Sequence, residues 1–141
     1  MQKMLCGALV VGGVLALALP AEAAPAVRTA KFAHHAGSAT LGFDGARHVW
    51  RGSVSVEPGV LAPGDYVYSV LLEKVKTPNG IAPGIGDAIC HFRVKPNQKK
   101  PAGCRGVSDG LTADGAWGRK NFADVNFANG GSPLLTAKFK R

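Results

Sequence analysis

Between Arg93 and Arg105 the chain carries five cations, Arg93, Lys95, Lys99, Lys100 and Arg105, close to two cysteines, Cys90 and Cys104. If the two thiols are joined, the cations sit on a tethered loop, and a tethered loop gives up less ordering entropy when it binds. Guanidinium and ammonium groups held in that way suit phosphate, sulfate or carboxylate oxygens. An anionic polymer, a glycan or a lipid surface is therefore the expected partner. A nucleic acid is not, because the loop has no aromatic side chain on which a base would stack.

Other residue sets carry weaker chemistry. Glu73, His91 and Arg93 would supply a base, an acid and a phosphate clamp for phosphodiester hydrolysis if their strands paired in register. The same three also make ordinary exposed cross-strand neighbours, and the usual nucleophile and metal motifs are absent, so a small hydrolase ranks last among the readings. His34 and His35 are adjacent, so in extended chain their side chains diverge, which argues against a shared metal. Asp109, Asp114 and Asp124 stand near glycines without the EF-hand pattern, and Asp-Gly is a common turn pair. Neither a metal nor a cofactor is expected. An extracellular protein is the alternative partner, met by Ile81 and Ile85 on the Gly- and Pro-rich stretch 77–86 in the manner of a protease inhibitor.

What makes the cysteines a bridge is location. Met1 to Met4 with Lys3, an uncharged apolar run from Leu5 to Leu19, then Pro20 and the small residues Ala21, Ala23 and Ala24 follow the order of a secretory signal peptide. The run is short for a membrane span and no basic cluster follows it. Cleavage after Ala23 gives domains 1–23, the signal, and 24–141, one secreted domain. Ala24-Pro25-Ala26 offers a second frame, and Cys6 leaves with the signal. Outside the cytosol a Cys90–Cys104 disulfide is the default. The net charge of +8 survives cleavage, since Lys3 and Glu22 leave together. Such a charge draws anionic partners and also keeps an exported protein soluble.

The elements that must position these residues read as strands, because Gly or Pro interrupts most windows long enough for a helix. Seven are expected: 27–33, 38–43, 48–57, 66–76, 87–95, 122–127 and 134–140. In the third, Trp50, Val54 and Val56 oppose Arg51, Ser53 and Ser55, the alternation of a half-buried strand. The fourth is apolar on both faces around Tyr68 to Leu72 and should lie centrally. In the fifth, Ala88, Cys90, Phe92 and Val94 should face the core. Residues 77–86 are expected to be a loop with an apolar tip, and 96–103 a loop pinned by Cys104. Short strands with turns every eight to twelve residues predict an all-β, antiparallel, immunoglobulin-like sandwich, with a small β-barrel as the alternative. Trp50 and Cys90 are placed somewhat as in antibody domains, but the cysteines are too close in sequence for their bridge to be expected to cross between sheets.

Overall fold

A computed structural model describes residues 26–141, and the expected signal peptide lies outside them. Among the described residues eight strands run β1 Val27–Phe32, β2 Gly37–Asp44, β3 Val49–Val56, β4 Gly64–Thr77, β5 Gly80–Val94, β6 Ala102–Ser108, β7 Lys120–Phe127 and β8 Leu135–Lys138. They form two antiparallel four-stranded sheets, ordered β1-β2-β3-β6 and β5-β4-β7-β8, so the described residues are all-β and sandwich-like. One isolated bridge, Ala30 to Phe139, links the β1 margin to the chain end after β8, without a ladder that would close a barrel.

Alternation makes the core. Tyr66, Tyr68, Val70 and Leu72 of β4 are buried while Val67, Ser69, Leu71 and Glu73 between them are partly exposed, and each buried side chain of this size contributes roughly 1.5–3 kcal/mol. Strand β3 behaves the same way, burying Trp50, Val54 and Val56. The Trp50 indole packs edge-on against Phe43 at 5.4 Å and Trp117 at 5.0 Å, and its Nε1–H donates to the Thr112 carbonyl at 2.8 Å. Arg28 stacks its guanidinium 4.0 Å from the Trp117 ring centre, closing the margin where β1 meets β8.

Three expectations are corrected. Residues 77–86 are not a loop: β4 and β5 continue as a long hairpin joined by Pro78-Asn79, with Thr77 paired to Gly80 and the Thr77 hydroxyl bound to the Gly80 carbonyl at 2.7 Å. Glycines and Pro83 are tolerated there because, among the described residues, the hairpin's outer edge has no further strand to pair with. Next, the core phase of β5 shifts at a bulge, where Tyr68 pairs with Cys90 and Ser69 with Ala88, leaving Ile89 extra. Phe92, Val94 and Ile89 are buried, Cys90 is half-buried and Ala88 is exposed. Finally, residues 102–108 form β6, a strand that sequence reasoning missed, and the Cys90–Cys104 bridge does cross between sheets. The crossing is possible because β5 and β6 are the facing margins of their sheets; a Cβ at Gly106 would collide with the Ile89 carbonyl oxygen, so glycine allows that approach.

Candidate anion-binding surface

The outer face of the β1-β2-β3-β6 sheet takes its character from register. Thr29, Thr40, Ser53 and Arg105 are aligned in one row across the four strands. Lys31, Ser38, Ser55 and Gly103 form the next row, and Val27, Gly42, Arg51 and Val107 the row on the other side. Because alternate residues bury Ala39, Leu41, Val54 and Val56, their polar neighbours must face solvent. The Thr40 and Ser53 hydroxyls touch at 2.7 Å, which fixes them as a pair.

Two shallow, open depressions share Ser53 and Arg105. One, of ≈ 360 Å³, also has Thr40, Arg51 and Val107 in its wall, and the other, of ≈ 450 Å³, is lined by Ser38, Ser55, Pro101 and Gly103. Arg105 stands at the divide between them. Among the described residues there are two ion pairs, and Arg105 is in neither. Arg51, by contrast, holds Asp44 at 2.9 Å. That hydrogen bond, helped by the Arg47 and Ala46 N–H groups, keeps the Asp44 carboxyl below the usual carboxylate range.

The structure separates the five cations of the sequence. Arg105 lies on this face, and Lys99 and Lys100 are exposed in the connection just before Pro101, which lines the second depression. Lys95 opens the connecting turn, its N–H donating to Gln98 Oε1 at 3.0 Å. Arg93 is elsewhere: it belongs to β5 of the other sheet and grips Asp65 through Nε at 2.7 Å and a second nitrogen at 3.3 Å, which lowers the Asp65 pKa. Its charge is already compensated. The disulfide joins Cα atoms 6.0 Å apart and so fixes β6 to β5, but the cations it tethers diverge onto two sheets.

The remaining candidates do not gather. Glu73 lies opposite Gly84 while His91 lies opposite Val67, so although β4 and β5 pair, the acid and the imidazole are about 20 Å apart along the strand. His34 and His35 occupy an exposed 3-10 turn, and among the described residues no three His, Cys, Asp or Glu side chains could share a metal ion. Asp109 and Asp114 are in exposed turns, whereas Asp124 lies on β7. Ile81 is 63% exposed at the hairpin end, but Ile85 packs against the core.

Sequence reasoning passed over Lys31, Ser38, Thr40, Ser53 and Ser55. The signal was partly there, since Ser53 and Ser55 oppose a buried face in any strand reading of β3. Only pairing with β2 and β6 turns them into a surface. Among the described residues, no helix is long and apolar enough to cross a membrane. Comparison with protein-family models, with curated proteins and with solved structures gave no match for the chain.

Proposed function

We propose that the chain is an exported, non-catalytic binding module that holds an anionic ligand against the outer face of the β1-β2-β3-β6 sheet. Arg105 supplies the uncompensated charge, Lys31, Lys99 and Lys100 extend the positive field, and the Thr40–Ser53 pair offers hydrogen bonds. The observation that carries this reading is the position of Arg105: outside both ion pairs, and shared by two adjoining depressions. A guanidinium placed so forms charge-assisted bonds with an arriving anion without first breaking a protein pair.

The sandwich is of immunoglobulin-like type, and it differs from antibody constant domains in strand order. There the first sheet takes the first, second, fifth and fourth strands, whereas here it takes the first three and the sixth. Secretion rests on the signal sequence, with which an inter-sheet disulfide accords. Contact with an extracellular protein through residues 77–86 is the weaker alternative, because Ile85 is packed inward and one anchor of the two is lost.

The test is salt-gradient elution from heparin, from teichoic acid and from anionic vesicles, comparing Arg105→Ala and the Lys99→Ala/Lys100→Ala pair with Arg93→Ala. The first two should elute at clearly lower salt than the parent, since screening then has fewer free charges to overcome. Arg93→Ala should elute with the parent. Elution of all three variants at the parent's salt concentration on every matrix would remove the proposal.

A further inference from the structure

We infer that the ligand of this surface is an acidic polysaccharide lying across the strands, along the hydroxyl row; this rests on reading the surface as an anion site. The row runs Thr29, Thr40, Ser53, Arg105, three strand spacings or roughly 14 Å from end to end. A parallel row about 7 Å away carries Lys31, Ser38 and Ser55. The face therefore presents a cation at one corner, a cation at the far side, and hydroxyls between them. That is the pattern of a polymer whose charged groups are separated by stretches of polyol.

Each hydroxyl can donate one hydrogen bond and accept two, so a Ser/Thr row reads sugar hydroxyls, which are donors and acceptors in the same way. A bare phosphate or sulfate accepts only and would leave the acceptor capacity of the row unused. Gly103 adds no side chain to the second row, and the two depressions adjoin through Ser53 and Arg105, so together they make one open trough across the strands. An extended chain fits such a trough better than an enclosed small molecule does.

Two other polyanions fit less well. Neither depression is lined by an aromatic ring that could stack a base, which a single-stranded nucleic acid would need. A lipid surface is gripped by a helix or patch with Trp, Phe or Leu set beside its cations. Here the rows nearest Arg105 and Lys31 hold only hydroxyls and glycine between the charges, and Val27 and Val107 flank one side.

Calorimetric titration of the purified protein with heparin and polygalacturonate oligosaccharides, with vesicles containing phosphatidylglycerol, and with single-stranded DNA distinguishes these cases. The oligosaccharides should bind most tightly. Thr40→Val/Ser53→Ala should weaken them at least tenfold with an unchanged salt dependence, while Arg105→Ala flattens the salt dependence. Thr40→Ser, which keeps the hydroxyl, should bind like the parent and controls for any loss of folding in the double variant. Parent-like oligosaccharide binding by a folded Thr40→Val/Ser53→Ala protein would overturn the polysaccharide assignment, as would tighter binding of vesicles or DNA, and either result would leave the anion site standing. Failure of every polyanion to bind would remove both.

Discussion

Asp124 sits on β7 with its Oδ1 accepting from the Thr136 hydroxyl at 2.8 Å, and it is a carboxylate that the fold does not favour. Partial burial raises its pKa above the ordinary 3.8, and the Thr136 bond only offsets this in part. The sign follows from linkage: with the folded pKa above the unfolded one, the native state holds the proton more tightly. Stability therefore falls as pH rises from the ordinary carboxylate range through the raised value, and stays lower above it. Asp44 and Asp65 act oppositely, since their arginine partners lower their pKa values; what they contribute is present above the ordinary range and is lost as acid reaches the folded values. Asp124→Asn keeps an oxygen for Thr136 and removes the charge. As for other surface substitutions, the gain at pH 7 should be within about 0.5 kcal/mol, or ~2 °C in Tm. Thermal melts should show the variant above the parent at pH 7 and level with it at pH 3. An unchanged or lower Tm at pH 7 would show that burial does not disfavour this charge.

Strands were legible wherever a period of two coincided with bulky side chains. Val27–Phe32, Val49–Val56 and Leu135–Lys138 lie where alternation places them, and β4 is central because it is apolar on both faces. Legibility failed where glycine replaced the pattern. Strand β6 offers Ala102, Gly103, Cys104 and Gly106, too small to show a face, and its identity comes from pairing with β3. The hairpin end was read as a loop for the same reason, because an edge strand can be built from residues that a central strand excludes. The two isoleucines record the difference. Ile85 pairs with the buried Leu72 and packs on the core, whereas Ile81 pairs with Lys76 and is exposed. Ile81→Ser should change the unfolding free energy by less than about 0.5 kcal/mol, as surface changes do, whereas Ile85→Ser should cost about 2 kcal/mol through lost burial. Equal costs in urea denaturation would mean that the hairpin end is packed or loose as a whole, in disagreement with this alternation.

At the scale of the molecule, the charges of the candidate site were visible in the sequence but their distribution was not. Nothing local to residues 102–108 says that they pair with β3, and that pairing is what sets Arg105 opposite Ser53 while Arg93 goes to Asp65 on the other sheet. The same pairing makes the disulfide a clasp between sheets. The two sheets are joined at both margins, by Cys90–Cys104 where β5 meets β6 and by the chain end where β1 meets β8. At that second margin Phe139 is buried, its ring 5.7 Å from Trp117, and the Lys140 N–H donates to the Thr29 carbonyl at 3.1 Å. Removing the bridge by Cys90→Ala/Cys104→Ala should cost about 3 kcal/mol, the loop-closure entropy returned to the unfolded chain. Phe139→Ala should cost about 3 kcal/mol by a different route, through the cavity and lost burial. The margins are opposite edges of four-stranded sheets, so the two changes share no partner and their costs should add. Their sum, about 6 kcal/mol, approaches the whole stability of a small domain, so the combined variant should be largely unfolded at 25 °C by circular dichroism while each parent variant remains folded. A combined variant no less stable than either parent would show that one margin already determines the packing of the sheets and that the second clasp is redundant.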